Sequence, residues 1–125
     1  MVDILYIEDN DQNFYLVDYI LKAKGYLVVR ARDGMEGIRA AFEKDYDLIL
    51  LDIQLPDMDG YSIAGELRKQ SKLAHVPIIA VTSYAMAGDR DKAMAAGCNG
   101  YIEKPINPRT FSDQVASYLR PDVGA

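Results

Sequence analysis

Residues 47–60 read Asp47-Leu48-Ile49-Leu50-Leu51-Asp52-Ile53-Gln54-Leu55-Pro56-Asp57-Met58-Asp59-Gly60. Leu48 to Leu51 is an apolar run with no polar face, the pattern of a strand buried on both sides of a parallel sheet. It stops at a carboxylate, Asp52, and Asp57 and Asp59 read as turn residues ahead of Gly60. Outward from this stretch, similar runs occur at Val2 and Ile4 to Ile7, Tyr26 to Val29, Val76 to Val81 and, more weakly, Tyr101 to Ile102. Between them lie apolar stripes at helical spacing: Phe14, Val17 and Leu21; Met35, Ile38 and Phe42; Ile63 and Leu67; Phe111, Val115 and Tyr118. Gly25 closes the first helix, Asp33-Gly34 turns the chain into the second, Gly97 closes the fourth, and Pro121 stops the fifth. Nothing repeats and no segment is of low complexity.

Strands of about five residues, helices of about eleven and loops of about four add up to the whole chain if five of each element alternate. Right-handed crossovers then give an open sheet with helices on both faces. The expected fold is α/β: a flavodoxin-like (βα)5, a doubly wound five-stranded parallel sheet of strand order 2-1-3-4-5. Such a sheet binds its ligand beyond the carboxyl ends of the strands where the winding reverses, here between strands one and three. The chemistry is therefore expected just after Ile7 and just after Leu51.

Composition narrows the function classes. The chain has 125 residues, half of them apolar, with 14 basic against 19 acidic side chains. A chain of this length buries roughly two-thirds of the surface its unfolded form exposes, so one domain over 1–125 folds without disulfides or a structural metal. The single cysteine, Cys98, reads as a small buried hydrophobe and speaks against a cross-linked secreted design. No apolar run approaches the roughly 18 residues of a membrane span, and Met1-Val2-Asp3 lacks the basic flank of a signal peptide. A cytoplasmic protein with no membrane partner is expected. The net charge of −5 disfavours direct binding to nucleic acid.

After Ile7 come Glu8 and Asp9, and after Leu51 comes Asp52, so three carboxylates converge at the switch point. Left alone they repel and resist ionisation. A hard divalent cation with few protein oxygens and several waters, Mg2+ rather than Ca2+, resolves this. Thr82 and Lys104-Pro105 end strands four and five at the same edge. A hydroxyl and an ammonium there suit an incoming group with several anionic oxygens. The plainer alternatives are an ordinary strand terminus for Thr82 and an ion pair with Glu8 or Asp9 for Lys104.

These residues resemble the receiver domains of two-component response regulators. The resemblance runs from Ile4-Leu5-Tyr6-Ile7-Glu8-Asp9-Asn10 through Asp47–Gly60 and Thr82 to Lys104-Pro105, and so covers 1–125 as one receiver with no output domain. It implies that Asp52 is the phosphoacceptor, Glu8 and Asp9 the acidic pair for Mg2+, Gln54 a backbone-carbonyl ligand, Thr82 the switch hydroxyl and Lys104 the phosphate-contacting lysine. It also implies a cis peptide before Pro105, which helps aim Lys104 inward. The segments Asp52–Pro56 and Ala80–Asp89 look like those of stand-alone phosphorelay and cell-cycle receivers and of receivers attached to hybrid histidine kinases.

The function so implied is a phosphoryl-accepting switch and not an enzyme. A phosphohistidine on a sensor histidine kinase or histidine phosphotransfer protein donates to one oxygen of Asp52, mainly through in-line positioning and charge neutralisation. Gln54, two residues past the acceptor, and Tyr84, two past Thr82, flank the hydrolytic water, and a bulky Tyr84 shielding the phosphate leads to an expected long-lived phosphoryl form. Asp57 lies near enough to modulate the pocket. Movement of Thr82 toward the phosphoryl group would leave space for Tyr101, whose alternative is a core ring with its hydroxyl in water. The fourth helix, Met86 to Ala96, carries only Met86 and Met94 as large apolar residues and should pack weakly. The face of helix four, strand five and helix five is expected to meet a downstream protein. His75 reads as a loop residue. Three other readings compete with this function. A haloacid-dehalogenase-type phosphatase needs a second Asp where Gln54 stands. A flavodoxin-like carrier would have its phosphate repelled by Glu8-Asp9-Asn10-Asp11. A pseudo-receiver that binds partners without phosphorylation would lack a pocket residue. The remaining alternative is a receiver cut from a longer chain near Arg120-Pro121.

Overall fold

The computed structural model describes residues 1–83 and 87–119. Strands β1 (Asp3–Ile7), β2 (Leu27–Ala31), β3 (Leu48–Asp52), β4 (Ile78–Thr82) and β5 (Gly100–Glu103) alternate with helices α1 (Asp11–Lys22), α2 (Gly34–Glu43), α3 (Gly60–Arg68), α4 (Ala87–Ala96) and α5 (Phe111–Ala116). The strands pair in parallel in the order β2-β1-β3-β4-β5. This is the expected doubly wound sheet. A short 3-10 turn at Ser71–Leu73 was not expected from the sequence.

Alternation along the strands sorts side chains between two cores. Ile4, Tyr6, Leu48, Leu50, Ile79, Val81 and Ile102 pack with Val17 and Leu21 of α1 and Phe111 and Val115 of α5. Leu5, Ile7, Ile49, Leu51, Ile78 and Ala80 pack on the opposite face with Ala40 and Ala41 of α2, Ile63 and Leu67 of α3, and Ala93 of α4.

Several boundaries differ from the sequence reading. β2 runs Leu27–Ala31, leaving out Tyr26 and taking in Arg30. It is an edge strand with only Ala31 fully buried, so its apolar pattern is weak. β4 starts at Ile78 and not at Val76, because Pro77 has no N–H to give to the ladder. Of the stripe expected to bury α2, Ile38 packs against the core, but Met35 is 57% and Phe42 40% exposed. The helix instead closes on Gly34, Gly37, Ala40 and Ala41. At Gly37 an added Cβ would lie 2.5 Å from Ile7 Cδ1, so the small residues permit an approach that Met35 and Phe42 could not. Tyr118 lies past the end of α5, with its ring so close to Gly100 that a Cβ there would sit 2.3 Å away. Gly25 and Gly97 have φ of 82° and 113°, the left-handed geometry expected where α1 and α4 stop. Met86 and Pro121 lie outside the described residues.

Candidate functional site

The register sets Ile7 beside Leu51, Asp52 beside Val81, and Thr82 beside Glu103. The residues that follow or end β1, β3, β4 and β5 thus share one edge. Period-two alternation then selects among them. Glu8 continues Ile4 and Tyr6, Asp52 continues Leu48 and Leu50, and Lys104 continues Ile102, so all three fall on the α1/α5 face. Thr82 and Tyr101 have the opposite parity and belong to the α4 face.

Lys104 Nζ lies 3.2 Å from Glu8 Oε1 and 3.5 Å from Asp52 Oδ2. The Gln54 N–H donates to Asp52 Oδ1 at 2.9 Å, and the Tyr6 hydroxyl donates to Glu8 Oε1 at 3.1 Å. One oxygen each of Glu8, Asp9 and Asp52 falls within 4.8 Å of the others. Glu8 is fully buried and Asp52 2% exposed, while Asp9 is open to solvent. The Lys104 N–H donates to the Thr82 carbonyl at 2.8 Å, and the Lys104–Pro105 peptide is cis.

Burial, together with neighbouring Asp52, pushes the Glu8 carboxyl up to about 7, and Lys104 only partly opposes this. Its second oxygen, Oε2, is buried with no hydrogen-bond donor among the described residues. Burial and Glu8 also push the Tyr6 hydroxyl far above the ordinary phenol range, which keeps it a donor. A buried carboxylate oxygen with no donor, two further carboxylates within reach and an opening at Asp9 form an all-oxygen set that suits a hard divalent cation such as Mg2+.

Asp57, expected to modulate the pocket, is not one of the converging carboxylates. Its two oxygens accept the N–H groups of Gly34 and Met35 at 2.8 and 3.1 Å, at the head of α2. Those bonds hold its carboxyl below the usual range. Asp59 caps α3 through Ser62 N–H at 3.1 Å and pairs with Gln54 in an antiparallel bridge. Tyr101 is half-buried, but its hydroxyl oxygen is buried without a partner among the described residues, so the alternative that places it in water does not hold. Tyr84 lies outside the described residues. His75 is exposed, and the buried Cys98 thiol is pushed up to about 11 by desolvation, which leaves it a poor nucleophile. Sequence reasoning missed Arg30. Its Nε and Nη2 donate to the carbonyls of Glu8 and Asp9, both at 3.1 Å. The strand read from the sequence stops at Val29, one residue short of Arg30, so nothing in the apolar pattern marked it.

Residues 4–116 match the family model of the response regulator receiver domain. The chain is 40% identical over 116 residues to the polar-differentiation response regulator DivK of Brucella ovis, covering 93% of this chain and 94% of DivK. The receiver domain of the sensor histidine kinase PA1611 from Pseudomonas aeruginosa, solved with a magnesium ion coordinated in its active-site cleft, is 38% identical with a TM-score of 0.86, over 94% of this chain and 96% of that one. The chemotaxis protein CheY4 of Vibrio cholerae is 28% identical with a TM-score of 0.90, over 95% and 99%. Among the described residues no helix is long and apolar enough to cross a membrane.

Proposed function

This chain belongs to the response regulator receiver family, and from that membership we propose that it is a phosphoryl-accepting switch with Asp52 as the acceptor. The observation that carries the reading is the setting of Asp52: buried, with Oδ1 held by the Gln54 N–H and Oδ2 facing Lys104. In the reaction the P–N bond of a donor phosphohistidine breaks as a P–O bond to an Asp52 oxygen forms, and the electron pair stays on the imidazole nitrogen. The Gln54 N–H keeps the carboxylate from rotating. Lys104 takes one equatorial phosphoryl oxygen and the Thr82 hydroxyl another. Glu8, Asp9, Asp52 and the Gln54 carbonyl would hold Mg2+, which when bound neutralises charge gathering on the transferred group. Of these, Glu8, the more buried of the acidic pair, would contribute through a water.

The donor in this reading is a sensor histidine kinase or a histidine phosphotransfer protein, and the site of action is the cytoplasm. The domain promotes its own phosphorylation and dephosphorylation and acts on no outside substrate. Output runs through Thr82 and Tyr101, which share the α4 face, to a downstream protein on the surface formed by α4, β5 and α5.

Incubation with Mg2+ and acetyl phosphate tests the assignment. Intact mass should rise by one phosphoryl group in the wild type and not in Asp52→Asn. No adduct on the wild type, or an adduct that persists in the variant, would reject Asp52 as acceptor.

A further inference from the structure

Arg30 sits in β2 directly beside Tyr6 of β1 in the parallel register. Its side chain is 10% exposed, and its guanidinium ties down the segment after β1 at three points. Nε donates to the Glu8 carbonyl and Nη2 to the Asp9 carbonyl, each at 3.1 Å, while Nη1 lies 2.8 Å from Asp11 Oδ1. The group is seated over the Phe14 ring, 4.9 Å from its centroid. Phe14 in turn stacks on Tyr6 at 6.2 Å, and the Tyr6 hydroxyl donates to Glu8 Oε1. Glu8 is therefore held at both ends, its carbonyl by Arg30 and its carboxylate by Tyr6 and Lys104. A planar fork matches two successive carbonyls in a way a lysine ammonium cannot.

We propose that Arg30 is a positioning residue that fixes the backbone of Glu8 and Asp9 so that their carboxylates face Asp52, and that it thereby sets the affinity for the divalent cation. The inference rests on the Mg2+-binding reading of the same site. Electrostatics alone give the opposite sign: a guanidinium beside an acidic site repels a divalent cation, so removing its charge would tighten binding. Positioning predicts that removing the fork weakens it.

The test uses the full chain and the metal alone. Mn2+ dissociation constants are measured from the paramagnetic resonance signal of free ion, and Mg2+ constants by calorimetry, with thermal midpoints recorded in EDTA. Arg30→Met should weaken both ions by about tenfold, the lower end of what loss of a group orienting metal ligands costs. Arg30→Lys, which keeps the charge and loses the fork, should recover only a small part of that. Phe14→Leu, which loosens the seat of the guanidinium without altering charge, should weaken binding in the same direction by a smaller factor, and it carries the test if Arg30→Met does not fold. Equal or tighter metal binding in Arg30→Met overturns the proposal, as does a lowered midpoint with unchanged dissociation constants. A wild type that binds neither ion refutes the Mg2+ reading itself, an outcome visible before any variant is made.

Discussion

Helices α1 and α4 flank opposite sides of the same site and are held by different means. Asn10 caps α1 by accepting the Asn13 N–H at 2.9 Å, and Val17, Ile20 and Leu21 are buried beneath it. Each such side chain contributes roughly 1.5–3 kcal/mol. In α4, only Ala93 is fully buried among the described side chains. Polar contacts tie α4 to its neighbours instead, through the Tyr61 hydroxyl donating to the Asp89 carbonyl at 3.4 Å and Arg68 Nε donating to the Gly97 carbonyl at 2.8 Å. The side that carries the acidic pair is thus built before any ligand arrives. The side that carries Thr82 and Tyr101 is packed thinly, and a thin contact lets two arrangements lie close in free energy.

The contrast is most exposed to attack at Arg68, since this one side chain substitutes for a core beneath the end of α4. Its Nη1 also donates to the Leu73 and Val76 carbonyls at 2.8 and 2.7 Å, and its Nη2 to Asn99. Arg68→Ala strands several acceptors at once and should cost on the order of 3 kcal/mol. A denaturant midpoint that barely moves would mean α4 is held by something other than this clamp.

On the α1 side the sharpest probe is pH. The Glu8 carboxyl titrates near 4.5 when unfolded and about 7 when folded. A folded-state value raised in this way gives stability that is full below the unfolded value, declines as pH rises between the two, and is gone above the folded one. In EDTA, stability should therefore fall on the order of 3 kcal/mol across that window. Glu8→Gln should flatten the decline. Mg2+ should reverse it, because the ion binds the ionised form. An identical slope in wild type and Glu8→Gln would place the proton elsewhere.

How much of this was legible in the sequence depends on distance along the chain. Glu8, Asp9, Asp52, Thr82 and Lys104 end or directly follow their strands, so a run of apolar residues marks each one and parallel pairing does the rest. Arg30 and Asp57 act on partners about twenty residues away and Arg68 reaches Gly97 about thirty residues away, and no periodicity encodes such a reach. Asp57 read as a turn residue because it sits in a turn, yet its carboxylate serves another helix. The α2 stripe holds only at Ile38 for a related reason: burial followed the small face, where Gly37 lets the helix close on Ile7, and side-chain size alone pointed to Met35 and Phe42.

The smallest effects divide the two sides most cleanly, because one substitution applied to two tyrosines should act with opposite sign. Tyr6 is fully buried and its hydroxyl has an acceptor in Glu8, so Tyr6→Phe removes a made bond and leaves that carboxylate with one donor fewer. Stability should drop by about 1–2 kcal/mol. The Tyr101 hydroxyl is buried with no partner among the described residues, so Tyr101→Phe removes a desolvated group that gains nothing. Stability should rise by about 1 kcal/mol. Chemical denaturation of the two variants without divalent cation decides the matter. If both lose stability, the Tyr101 hydroxyl has a partner in solution and the α4 side is tied more tightly than its packing indicates. If the signs differ, the unsatisfied oxygen is a standing bias against this arrangement of β5, relieved when Tyr101 turns to where its hydroxyl finds water or a partner protein.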